Sequence, residues 1–246
     1  MMTAVVLGGT SGIGEALARE LAAQGLNVVL AGRDLAELDA RARDLEIRYG
    51  VRAWSRPFDA LDFESHHDWL ESCEREIGEE IGGVALCYGV MPSEDEAAVD
   101  GSLTRHMIEI NYSSAVSILD RVAERLRDRG KGFICAITSV AGDRGRASNF
   151  HYGSSKAALS TYLSGLRVQM ARDGVSVVDI RPGMIDTKLT YGLPGLMMLA
   201  KPRRVARDIV RGIRGNRAVV YTPKIWWLVM FVIRMLPDFI FRRIAL

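Results

Sequence analysis

Apolar runs too short to be helices alternate along this chain with longer helical patterns, and this alternation constrains the fold more than any single motif. The runs fall at residues 4–7, 28–31, 53–58, 84–87, 133–137, 175–180 and 218–221. Helical periodicity lies at 15–23, 35–49, 103–129, 152–172 and 203–214, with no internal proline in any of them. Strands separated by helices cannot pair as tight hairpins, so they line up in parallel with helices covering both faces. The expected fold is one α/β domain, a doubly wound parallel sheet of about seven strands spanning residues 1–222. Residues 223–246 form a short apolar and basic C-terminal extension.

The composition agrees with one large core. The chain has 246 residues, of which 48% are hydrophobic, a length that single α/β domains reach. Lys and Arg number 32 against 30 acids, so no general basic field marks a nucleic-acid binder. The local cluster Arg203, Arg204, Arg207, Arg211, Arg214 and Arg217 reads as a solvated helix face. Cys73, Cys87 and Cys135 lack metal-ligand spacing and histidine neighbours, and neither a metal site nor a disulfide framework is expected. Only Met1, Met2 and Thr3 precede the first apolar run, which leaves no room for a secretory signal and sets a cytoplasmic expectation. Residues 184–202 are long and rich in Gly, Pro and Met for a connection, and read as a lid.

The first run leads directly into Gly8-Gly9-Thr10-Ser11-Gly12-Ile13-Gly14, and a helical pattern follows. Glycines at a strand-to-helix turn allow a tight bend and let a pyrophosphate approach amides at a helix N-terminus, where the helix dipole favours negative charge. The second run ends at Gly32 and Arg33, where a carboxylate would select the free ribose hydroxyls of NAD(H). A charge-assisted bond to a 2′-phosphate is worth roughly 1.5 to 3 kcal/mol, or about a 10- to 150-fold preference. NADP(H) is therefore the expected cofactor, with NAD(H) as the alternative because Asp34 opposes the phosphate. Asp59 after the third run is placed to accept from an adenine amino group or, on spacing alone, to cap a turn.

A second constellation comprises Ser139, Tyr152 and Lys156, with Asn111 upstream. Tyr152 and Lys156 stand one helical turn apart on a shared face. A phenol is a reluctant acid near neutral pH, and a nearby ammonium is expected to lower its pKa. Ser139 follows the fifth run, at the strand end where open α/β sheets bind ligands. Taken singly, these are an ordinary tyrosine, a surface lysine and a capping serine; together with the glycine turn they read as a catalytic set.

In this combination the chain resembles the short-chain dehydrogenase/reductase family: Gly8-x3-Gly12-Ile13-Gly14, Asn111, Ser139, Tyr152-x3-Lys156 and Arg181-Pro182-Gly183 with Thr187 occur in that family's order. The resemblance implies a Rossmann-type fold and hydride transfer between a nicotinamide and a carbonyl or alcohol. It further implies Tyr152 as proton donor and acceptor, and Lys156 as holder of the nicotinamide ribose. Ser139 would orient the carbonyl oxygen and Asn111 would support a proton-relay water. Gly89, Pro182, Gly183 and Thr187 would lie along the cofactor, and a homodimer or homotetramer is implied. Leu7 replaces the family's usual Thr, and Leu86-Cys87-Tyr88-Gly89 replaces Asn-Asn-Ala-Gly, which puts packing on the adenine side in doubt.

Within the family, the segments "FDALDFESH", "EINYSSAVS" and "AGDRGRASNFHYGSSKAAL" and the tail are similar to the subgroup typified by decaprenylphosphoryl-2-keto-β-D-erythro-pentose reductase. This similarity implies a keto-sugar carried on a polyprenyl phosphate. Arg144 and Arg146, on the loop after Ser139, are candidates to grip that phosphate. The tail holds only nine consecutive apolar residues, 225–233, whereas a span needs about 20, so it is not expected to cross a bilayer. Two short helical pieces around Pro237, with Trp226, Trp227, Phe231, Phe239 and Phe241 beside Arg234, Arg242 and Arg243, fit a segment lying on the inner face of the plasma membrane. Packing against a partner subunit is the competing reading. A long-chain keto-lipid is the alternative substrate, using the same tail and a Met197-Met198 lid. A nucleotide-sensing scaffold without chemistry is the alternative class.

Overall fold

Each apolar run becomes a strand: β1 (Thr3–Leu7), β2 (Asn27–Gly32), β3 (Ala53–Pro57), β4 (Ile81–Leu86), β5 (Gly132–Ile137), β6 (Val175–Pro182) and β7 (Val219–Thr222). The computed structural model describes residues 2–187, 189–191 and 199–243. All seven strands are parallel and pair in the order β3-β2-β1-β4-β5-β6-β7. Every residue of β1 and β2 is buried, which is why these strands read as unbroken apolar runs rather than alternating ones.

Helices α1 (Gly12–Ala23), α2 (Leu35–Tyr49) and, near the end of the chain, Pro202–Arg214 cover one face through Leu17, Leu21, Leu38 and Ile209. The other face is covered from helices Trp69–Ile77, Ser114–Arg129 and Phe150–Met170 by Trp69, Ile118, Leu119, Leu159 and Leu163. In chain order the helices after α2 are α3 (Trp69–Ile77), α4 (Glu94–Val99), α5 (Gly101–Ile108), α6 (Ser114–Arg129), α7 (Phe150–Met170), α8 (Pro202–Arg214), α9 (Ile225–Met235) and α10 (Asp238–Phe241). Chain direction across the sheet reverses between β1 and β4, so a crevice opens at their carboxyl ends. The arginines of α8 lie outward from its buried Val205, Ile209 and Val210, as a solvated face.

The fold departs from the periodicity at two places. The pattern over 103–129 predicts one helix, but the chain forms α5, a π-turn at Glu109–Ser113 and then α6. The wider turn rotates Asn111 inward, where it is almost fully buried. Helices α3 and α4 escaped the periodic reading, although α4 opens with a reciprocal capping box between Ser93 and Glu96 that is a sequence signature.

The expected lid is stitched at its two ends. Ile185 bridges to Ala200, Ala200 N donates to Met184 O at 3.0 Å, and Asp186 N donates to Ala200 O at 3.0 Å. Its centre, with Met197 and Met198, lies outside the described residues. The tail forms its two helical pieces, α9 and α10, on either side of Pro237. Helix α9 buries Trp226 and Met230 against Val140. Val229 and Ile233 are partly buried against the same cluster, while Trp227, Leu228, Phe231 and Val232 are exposed. Among the described residues no helix is long and apolar enough to cross a membrane.

Candidate active site

The carboxyl ends of β1 to β6, with the start of α9, frame one cleft of about 620 Å³. It is lined by Gly8, Thr10, Ser11, Gly12 and Ile13 after β1, Arg33 after β2, Asp59 after β3 and Gly89 after β4. Ser139, Arg146, Tyr152 and Lys156 follow from β5 and α7, and Pro182, Gly183 and Thr187 from β6 onward. The glycine turn and the Ser-Tyr-Lys set, more than 120 residues apart in sequence, therefore share one space. Gly14, Asn111 and Arg144 are not among its lining residues.

The nucleotide end is backbone. Ser11 caps α1, its Oγ accepting from Gly14 N at 3.0 Å and donating to Gly8 O at 2.8 Å. The amides of Gly12 and Ile13 precede the first bond of the helix and stand at its positive end. Gly14 packs so closely under Gly8 that a Cβ on it would fall 2.2 Å from the Gly8 carbonyl oxygen, which is why no larger residue fits there. This close-packed turn is a cradle fitted to a pyrophosphate. Arg33 is exposed at the rim, while Glu37, also lining the cleft, pairs with Arg41. The Asp59 carboxylate accepts from Leu61 N at 3.0 Å, so it caps a turn as well as lining the adenine side. Tyr88, where the family has Ala, packs 5.7 Å from Phe58 and shares a 2.8 Å hydrogen bond with Ser114 Oγ. The substitution thereby ties β4 to α6.

At the reacting end Tyr152 and Lys156 are both buried. Lys156 Nζ donates to Ile137 O at 3.0 Å and lies 5.7 Å from the centre of the Tyr152 ring. Sequence spacing predicts a lowered phenol pKa, and the structure places it on the other side. Burial pushes the Tyr152 phenol up to about 12, with its hydrogen bond to Ser139 pulling the other way. Burial likewise pulls the Lys156 ammonium down to about 8 against the attraction of Asp179. Desolvation opposes the charged form of each group and outweighs their spacing along the helix.

Asn111 supports this set from behind. Its Nδ2 donates to Val90 O at 2.8 Å and to Ser155 Oγ at 3.1 Å, and its Oδ1 accepts from Val90 N at 2.8 Å. Ser155 Oγ in turn donates to Tyr152 O at 2.8 Å. The side chain is thus a brace between the loop after β4 and α7, with both ends of its amide engaged.

The two candidate phosphate arginines part company. Arg144 Nη1 donates to Ile233 O and to Leu236 O, each at 2.6 Å, and its guanidinium lies 3.8 Å from the centre of the Phe241 ring. It caps α9 and clamps the tail, because helix-end carbonyls and an aromatic face attract a cation more closely than open cleft does. This corrects the expectation of a phosphate ligand at Arg144. Arg146 does line the cleft.

Several residues near the cleft were given no role in the site by the sequence reading, Arg181 being named only as part of a motif and Trp226 only as part of the tail. Arg181 Nε donates to Asp179 Oδ2 at 2.8 Å and Nη1 to Asp143 Oδ1 at 2.7 Å, while Tyr221 Oη donates to Asp143 Oδ2 at 2.8 Å. This partly buried network joins β6, β7 and the loop after Ser139. Trp226, from α9, reaches the same cleft and is only 5% exposed. Its neighbour Trp227 is largely exposed, and that difference between adjacent indoles emerges only in the fold.

A family model described as short chain dehydrogenase matches residues 2–194. An uncharacterised oxidoreductase of Mycobacterium tuberculosis is 35% identical over 241 residues, covering 97% of this chain and 95% of its own. A short-chain dehydrogenase from Sphingobium yanoikuyae, solved in complex with NADPH, superposes with a TM-score of 0.83 at 23% identity, covering 99% of this chain and 96% of its own. A gluconate 5-dehydrogenase from Burkholderia cenocepacia, solved with NADP and tartrate, gives a TM-score of 0.82 at 20% identity, covering 90% and 93%. At those identities the two structures share this fold.

Proposed function

Because the chain belongs to the short-chain dehydrogenase/reductase family of oxidoreductases, we propose that it is an NADP(H)-dependent reductase that converts a ketone to a secondary alcohol. The observation that carries this reading is the convergence of Ser139, Tyr152 and Lys156 on the cleft that the glycine turn opens. A nicotinamide dinucleotide bound in that cleft supplies the hydride for the carbonyl carbon. The Ser139 hydroxyl holds the carbonyl oxygen, and Tyr152 gives it the phenolic proton. A phenol held near pKa 12 is protonated at neutral pH, which suits a donor. Lys156, anchored on the Ile137 carbonyl, offsets the charge left on the phenol oxygen until water returns the proton. Asn111 acts as a positioning residue through Val90 and Ser155.

For the cofactor, Gly32 and Arg33 at the end of β2 favour NADP(H), and related folds solved with NADPH and NADP support the same choice. For the substrate, we favour a keto-sugar carried on a polyprenyl phosphate, with Arg146 rather than Arg144 left to meet its polar portion. The exposed apolar face of α9, flanked by Lys224, Arg234, Arg242 and Arg243, supports the membrane contact that a lipid-borne substrate requires. The same face would serve a long-chain keto-lipid.

The test is NADPH oxidation against a panel of ketones by wild type and Tyr152→Phe. Turnover should fall by about a thousandfold in the variant, with NADPH binding, followed by its fluorescence, unchanged. Cofactor binding without turnover of any ketone by the wild type would instead identify a nucleotide sensor.

A further inference from the structure

Six buried side-chain polar atoms have no hydrogen-bond partner among the described residues; three, on Asp44, Arg56 and Ser176, lie away from the cleft, and the other three are Nε1 of Trp226, Nε of Arg146 and Oδ1 of Asn149. These last three residues line the cleft at its substrate end. Buried polar groups in folded chains are almost always paired, so an orphan on a residue that lines a ligand cleft points to a bond that the ligand completes.

Trp226 is positioned most sharply. Its ring packs against Gly183, where a Cβ would fall 1.9 Å from Nε1, and it clusters with Val140, the neighbour of Ser139. The indole N–H therefore sits between the segment that carries Ser139 and the segment that follows Pro182. The three orphan atoms differ in kind. The indole and guanidinium nitrogens donate, whereas the amide oxygen of Asn149 accepts. A bare phosphate or carboxylate would find two donors but would be repelled by the Asn149 oxygen. A plain alkyl ketone would leave all three unpaired. Hydroxyl groups satisfy the set, since their oxygens accept and their protons donate.

We infer that Trp226, Arg146 and Asn149 form a hydroxyl-reading subsite that selects ketones bearing hydroxyl groups beside the reacting carbonyl. The inference rests on the ketoreductase reading and narrows it to polyhydroxylated substrates. Trp226 is the specificity-determining member, and it is supplied by the helix after β7 that Arg144 clamps in place.

The experiment compares NADPH oxidation with erythrulose and with butanone, the same four-carbon ketone without hydroxyls, in wild type and Trp226→Phe. The wild type should prefer erythrulose. Trp226→Phe should lower kcat/KM for erythrulose about tenfold and change that for butanone less than twofold, as expected when a buried hydroxyl loses one donor. An equal loss on both ketones, or no preference in the wild type, overturns the inference. A measurement on the unmodified chain does not depend on the variant's folding or on turnover. With NADP+ present, one of the four indole N–H resonances should move on adding erythrulose and stay in place with butanone. A still spectrum at saturating erythrulose rejects the subsite while leaving the reductase reading intact. Undiminished turnover by Tyr152→Phe would reject the reductase reading and leave the resonance shift to stand by itself.

Discussion

The two ends of the cleft are made differently. The nucleotide end is backbone drawn from the first sixty residues and fixed by short-range bonds, such as Ser11 Oγ to Gly8 O at 2.8 Å and Gly8 N to Ala31 O at 2.8 Å. The substrate end is side chains from distant parts of the chain, with the α9 wall secured by Arg144 bonds to Ile233 and Leu236 across 89 and 92 residues. A rigid backbone cradle suits a ligand of constant shape. A wall of side chains on a separately docked helix can change its selectivity without disturbing that cradle.

The strongest way to break the comparison is a pair of glycine substitutions. Gly14→Ala drives a methyl into the Gly8 carbonyl, a backbone atom that cannot step aside, and should weaken NADPH binding about a hundredfold, read by fluorescence titration. Gly183→Ala meets the buried Trp226 ring instead, a side chain of the substrate wall, and should lower ketone kcat/KM about tenfold with a smaller effect on NADPH affinity. Adding Trp226→Ala to Gly183→Ala should then relieve the clash. Equal effects of the two single changes on cofactor binding would erase the distinction.

Arg33→Ala sharpens the nucleotide side. It should raise KM for NADPH roughly 10- to 150-fold and leave NADH within about twofold, because only the 2′-phosphate contact is lost. Comparable kcat/KM for NADH and NADPH in the wild type would overturn the NADP(H) assignment. On the opposite side, Trp227→Glu with Phe231→Glu changes only exposed positions of α9. Flotation with anionic liposomes should drop by about tenfold in the double variant. Unchanged flotation, or a loss of oligomer instead, would assign this face to a partner subunit.

The smallest effect concerns Lys156, which lies where the two ends meet. Its folded pKa of about 8 is below the unfolded 10.5. The unfolded chain therefore binds more protons between those values, so the penalty for burying the ammonium is complete below pH 8 and fades as pH rises toward 10.5. Wild type should gain roughly 1 kcal/mol between pH 8 and 9 relative to Lys156→Met, read from urea unfolding. Parallel pH curves for the two proteins would show that Lys156 is not desolvated.

Legibility follows the same division. The seven strands could be read because each is an apolar run buried on both faces, and the glycine turn because only its spacing permits the bend. Tyr152 and Lys156 were found because helical spacing alone places them together. Asn111 was found, but the π-turn that turns it inward was hidden, since one additional residue in a helix leaves no periodic signature. The phenol's raised pKa was misjudged because spacing reports proximity and is blind to burial. Arg144 and Arg146 look alike two residues apart, and only the docked tail separates a clamp from a cleft residue.

The sequence by itself determined the sheet, the glycine turn and the placing of Tyr152 beside Lys156, because each depends on contacts between near neighbours or on backbone geometry that glycine and apolar runs encode. Tertiary structure alone decided which of two adjacent tryptophans entered the cleft, which arginine lines it, and how far burial raised the Tyr152 pKa and lowered that of Lys156. Those outcomes depend on side chains meeting across tens of residues and on water excluded from between them, and neither is written in local pattern.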